Sequence, residues 1–149
     1  MAISQAMCTS FKVEILNGIH AFGTTVTRAA TTADTFNLAL YTSSASLGAA
    51  TTAYTTSGES SGTGYTAKGQ ALSVSAVPVA SGTTAILDFA NETFTTATIT
   101  ARGAMIFNTT QADKAVAILD FGGDKTSTAG DFSVVFPAFD ATNAIIRIA

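Results

Sequence analysis

Apolar and polar positions change period near residue 35. Before it, Phe11, Ile15, Leu16 and Ile19 fall at i, i+4, i+5 and i+8, which predicts a helix over 9–22. Thr9 and Ser10 stand where caps belong, and Glu14 falls in the first turn, where the helix dipole favours an anion. Gly18 weakens the end and Gly23 can close it. After residue 35 the period is two. In Thr35–Tyr41, Phe36, Leu38 and Leu40 alternate with Asn37, Ala39 and Tyr41, the pattern of a strand with one apolar face. Further strands are predicted at 71–79, 83–90, 93–100, 103–108, 115–121, 131–137 and 143–148. Pro78 marks an edge or bulge, and Gly122-Gly123-Asp124 reads as a turn. Short strands at this spacing predict an all-β fold, mainly an antiparallel β-sandwich or jelly roll, with one short N-terminal α-helix.

Between the first strand and the rest lies 42–69, rich in Thr, Ser, Ala and Gly. Its only large apolar side chains are Leu47, Tyr54 and Tyr65. A loop of this length in a compact domain is usually functional or disordered. Two readings stand side by side: an arm reaching a neighbour, or a loop folded back on its own sheet. Ala85-Ile-Leu-Asp-Phe89 recurs as Ala117-Ile-Leu-Asp-Phe121. Two copies are too few for a solenoid and read as two strands in similar settings, neighbours in the sheet, rather than as matched aspartates of a site. The phenylalanines at 36, 89, 94, 107, 121, 132, 136 and 139 sit at strand positions and are assigned to the core. Tyr41, Tyr54 and Tyr65 flank or lie in the loop, where amphipathic rings suit packing beneath it or an interface.

Composition narrows the class. The 149 residues suit one domain, with 1–10 as a flexible tail. Charged residues are 11% of the chain, against about 25% in an ordinary globular protein. Thr (26) and Ala (28) supply more than a third of it, and the hydrophobic content of 47% excludes the recipe for disorder. A net charge of −3 argues against phosphate-driven nucleic-acid binding, as do the scattered cations Lys12, Arg28, Lys68, Arg102, Lys114, Lys125 and Arg147. The single Cys8 excludes an intrachain disulfide framework. No secretory signal or membrane-spanning run is found, so the chain is expected to be made in a cytoplasm.

Material for catalysis is thin. His20 and Cys8 lie twelve residues apart with no nucleophile–base arrangement, and His20 is expected at the helix end near the final carbonyls. No zinc spacing exists, and Asp120, Asp124 and Asp131 around Gly122-Gly123 lack the calcium-loop pattern. Asp120-Phe121-Gly122 spells a kinase tripeptide without the rest of the kinase signature. Gly62–Gly69 lacks the ending of a phosphate loop. No enzyme activity, cofactor or metal is expected.

Several segments together resemble small virion proteins of tailed bacteriophages. They are Ser10–His20, Asp34–Gly48 with its Leu-Tyr-Thr-Ser-Ser, Ala53–Glu59, Gly62-Thr-Gly-Tyr-Thr-Ala-Lys-Gly69, Arg102–Asn108 and Ala115–Gly122. The resemblance implies a non-enzymatic particle component, most like a capsid decoration (cement) protein. It would bind the major capsid protein of the assembled shell, and copies of itself at a symmetry axis, without nucleic acid or membrane. Its location would be the capsid surface of the virion. The expected contacts lie in 42–69 and around it: Tyr41, Leu47, Tyr54, Glu59, Tyr65 and Lys68. A tail component (adaptor, tube, or receptor- or carbohydrate-binding sandwich) is the alternative.

Overall fold

The structure, a computed structural model, describes residues 2–16, 18–24, 32–82 and 84–149. Arg28 lies outside them, as do residue 17 of the expected helix and residue 83 at an expected strand start. The fold is all-β with one short helix. In chain order the elements are β1 (Ala6–Met7), α1 (Thr9–Leu16), β2 (Phe36–Tyr41), β3 (Gln70–Leu72), β4 (Val74–Ser81), β5 (Thr84–Phe89), β6 (Glu92–Asn108), β7 (Lys114–Val134) and β8 (Ile146–Ile148). They form a five-stranded sheet, β1-β7-β6-β2-β3, and a three-stranded sheet, β4-β5-β8, with antiparallel pairing throughout.

One core joins both sheets. Phe36, Leu38 and Leu40 enter it from β2, Met105, Ile106 and Phe107 from β6, Val116 and Ile118 from β7, and Leu87 and Phe89 from β5. An aromatic seam ties the layers. Phe22 stacks on Phe36 at 4.4 Å, Phe36 meets Phe89 at 6.1 Å, and Phe89 meets Phe136 at 5.9 Å. Burying each ring contributes roughly 2–3 kcal/mol. Two of the expected core phenylalanines are exceptions: Phe121 is only partly buried, and Phe139 lies after β7 and stays 39% exposed.

The helix is shorter than its apolar pattern. Gly18 takes φ 68°, its amide bonds to Ile15 O (2.9 Å) and the Ile19 amide to Glu14 O (3.0 Å), so the helix closes one turn before Gly23. Counted from Thr9, Glu14 sits beyond the first turn. Cys8 is wholly buried, and its thiol is pushed up to about 11 by that burial. Residues 2–10 of the expected tail are tied to the sheet. Ala6 and Met7 pair with Ile118 and Ala117, and Ile3 bridges Leu47.

β6 and β7 are longer than the expected strands. Gly122-Gly123 does not turn the chain. From Ala101 to Gly103 on β6, the partners on β7 run from Lys125 to Asp120, so β7 carries three extra residues as a bulge. The bulge uses the positive φ of Gly122 that a turn would have used. The real reversal is Thr109–Asp113. Asn108 Oδ1 caps it by accepting the amides of Thr110 and Gln111, both at 3.1 Å. The repeated Ala-Ile-Leu-Asp-Phe strands are not neighbours: one is β5 of the small sheet and the other begins within β7 of the large one. Asp88 is buried and accepts the Phe89 amide, whereas Asp120 pairs with Arg102 at 3.3 Å, so the two aspartates form no common site.

Candidate functional site

The segment 42–69 folds back and is stitched to four places. The Thr42 amide donates to Gly58 O (2.9 Å) and the Ser60 amide to Leu40 O (2.8 Å), prolonging β2. Thr98 of β6 donates its amide to Thr63 O (2.9 Å). Near β7, the Tyr54 amide donates to Asp113 O (2.9 Å) and the Ala115 amide to Thr52 O (3.0 Å). At the N-terminal segment, the Leu47 amide donates to Ala2 O (3.3 Å). Gly69 comes so close to β2 that a Cβ there would collide with Leu38 O.

Glu59 holds the middle. The Tyr54 hydroxyl donates to its Oε2 (2.6 Å), while the Tyr65 hydroxyl and the Lys68 amide both donate to Oε1 (2.7 Å each). The Tyr65 oxygen also accepts the Leu40 amide (3.0 Å), so the clamp reaches into β2. Tyr54 stacks on Phe107 at 5.0 Å, and Tyr65 lies against Phe94 at 5.5 Å. Lys68 spans the outside, with Nζ 2.5 Å from Asp113 and 5.4 Å from the Tyr54 ring centre. Beneath, the fully buried Tyr41 donates its hydroxyl to Thr55 O (2.7 Å). Burial, and then the hydrogen bond to the Glu59 carboxylate, push the Tyr54 phenol up to about 12. The same causes, in the same order, raise Tyr65; burial also raises Tyr41.

Five of the six expected contact residues, Tyr41, Tyr54, Glu59, Tyr65 and Lys68, thus meet in one cluster. Leu47 does not join it. It is buried and bridges Ile3. Asp113 and Thr55 complete the cluster and escape sequence reasoning, because a Lys–Asp pair 45 residues apart leaves no local signal.

A second polar network lies behind the same turn. Asn108, fixed by its Oδ1 bonds, donates Nδ2 to Asp34 Oδ2 (2.8 Å) and to His20 Nδ1 (3.0 Å). His20 Nδ1 is therefore the acceptor, and Nε2–H donates to Glu14 Oε2 (2.8 Å). Lys114 Nζ donates to Glu14 Oε1 (3.1 Å). Burial alone would raise the Glu14 carboxyl, but the bonds from His20 and Lys114 outweigh it and hold the group below its ordinary value. His20 does not face the last helical carbonyls. Its ring is buried and joins the helix to β6. Both of its nitrogens are engaged in holding structure.

Among the described residues, no three His, Cys, Asp or Glu side chains gather into a metal-holding group, and no helix is long and apolar enough to cross a membrane. No protein-family model, curated protein or solved structure matches the chain.

Proposed function

We propose that this chain is a non-enzymatic structural protein of a tailed-phage virion, which binds the assembled capsid shell at many equivalent sites and stabilises it as a cement protein. The observation that supports this most is the surface of 42–69. Only two charged side chains occur in it, Glu59 and Lys68. Both are engaged within the chain, by Tyr54 and Tyr65 and by Asp113. What remains outward is mostly small hydroxyl and methyl groups, Ser43, Ser44, Thr52, Thr56, Ser61, Thr63 and Thr66 among them. Such a surface gives no electrostatic steering. It suits close packing and hydrogen bonding against a matching wall. Because the segment is already ordered, docking costs little conformational entropy. Anything that binds the closed shell and not its open state stabilises the closed one, and many weak copies add.

Immunogold labelling of intact particles with antibody against this chain tests the reading. Dense label over the head, at many copies per particle, is the expected result. Label confined to the tail would overturn it in favour of an adaptor, tube or receptor-binding component.

A further inference from the structure

The small sheet buries a carboxylate with no counter-charge beside it. Asp88 lies on β5, the middle strand, and is 2% exposed. Among the described residues its one hydrogen bond comes from the adjacent Phe89 amide to Oδ1 (2.9 Å), and no ion pair reaches it. Every side chain of β4 is uncharged. On β8, Arg147 pairs with Ile86 by register and donates to Ala141 O (3.5 Å). His20, which lines a cavity with Ile86, is bonded to Glu14 (2.8 Å). A carboxylate so placed loses water without gaining a cation, so burial favours its neutral form. Beside it lies β4, at the edge of the sheet and paired with β5 alone. Ala76 stands opposite Asp88, and the register slips on both sides of that pair, between Val74 and Ala76 and again between Ala76 and Val79. Pro78, inside the second slip, has no amide to give. Pro78 also walls the cavity of about 260 Å³ that Phe11, Ile15, Ile86 and Leu87 line.

We propose that β4 is a proton-operated edge strand: with Asp88 neutral it stays paired to β5, and with Asp88 ionised it opens locally, admitting water to the carboxylate and uncovering the cavity that Pro78 walls. The twice-slipped, proline-containing register makes β4 the strand that yields at least cost. The sign follows from burial. The closed form holds the Asp88 proton to higher pH than the open, hydrated form does. The open form therefore gains on the closed one as pH rises from the ordinary carboxylate value through the raised one, and the gain levels off above it. The device needs no particle, so it stands apart from the shell-binding reading.

Amide hydrogen exchange of the full chain at about pH 4 and about pH 7.5, corrected for the intrinsic pH dependence of exchange, tests this. The β4 amides are expected to lose protection several-fold at the higher pH. They should do so through an opening that about 0.5 M urea hardly changes, because a local opening exposes little surface. Amides of β6 and β7 should instead exchange with the urea dependence of global unfolding. Asp88→Asn keeps an oxygen for the Phe89 amide and removes the charge, so its β4 should stay protected at both pH values. Asp88→Ala is the second variant and should likewise lose the pH dependence. Equal β4 protection at the two pH values overturns the proposal. So does the same loss in both variants, or β4 exchange that occurs only together with β6 and β7.

Discussion

Replacing Glu59 with alanine removes one acceptor from three donors at once: the Tyr54 and Tyr65 hydroxyls and the Lys68 amide, all within 2.7 Å. A hydrogen bond to a charged group contributes about 1.5–3 kcal/mol net. Lys68 is exposed and water can take over its amide, so the two tyrosine bonds at this half-buried site dominate. The expected loss is about 3 kcal/mol for Glu59→Ala. Glu59→Gln keeps an oxygen for Tyr65 and Lys68, and Tyr54 can rotate its hydroxyl to accept from the amide. Only the charge is lost, at about 1 kcal/mol. In a chain of this size 1 kcal/mol moves Tm by about 2–4 °C, so the alanine variant melts about 6–12 °C lower. Urea unfolding read by linear extrapolation gives the two losses directly, with an unchanged m value showing that the same surface is exposed. Limited proteolysis adds a local readout, with new cleavage inside 42–69 in the alanine variant. An alanine variant within about 0.5 kcal/mol of the parent, still resistant in that segment, would refute Glu59 as the clamp.

Four further outcomes follow from the same structure. All three tyrosine phenols are raised, Tyr54 to about 12, so at pH 10.5 the native protein should show a small fraction of the phenolate absorbance of the urea-unfolded chain. Burial raises the Asp88 carboxyl, so the native state holds its proton to higher pH than the unfolded chain does. Asp88 therefore lowers stability as pH rises from the ordinary carboxylate value through the raised one; Asp88→Asn should be the more stable protein at pH 7, with the advantage vanishing at low pH in parallel urea titrations. Asn108→Ala removes the cap of the β6–β7 turn and the donor to both His20 and Asp34, for a loss of about 3 kcal/mol or more by chemical denaturation. Cys8 should resist a thiol reagent in the native protein and react fully in urea, since it is wholly buried and its thiol lies near 11.

Local rules were read correctly where the cause was local. The alternation in Phe36–Tyr41 became β2, and six of eight core phenylalanines are buried as their strand positions required. They failed where one signal serves two geometries. Gly122-Gly123-Asp124 fits a turn or a bulge, because both need positive φ, and only pairing with β6 decided for the bulge. The identical Ala-Ile-Leu-Asp-Phe stretches went to different sheets for the same reason: strand pairing is chosen by long-range partners.

The β class and the place of the short helix are legible in the chain, since period and residue type are written along it. Only the tertiary contacts set 42–69 against the sheet, lock His20 between Glu14 and Asn108, and cover the β6 edge. Each of those outcomes rests on hydrogen bonds whose geometry exists only after the chain has closed on itself, several of them between residues tens of positions apart. The Lys68–Asp113 and His20–Asn108 pairs, 45 and 88 residues apart, are of that kind.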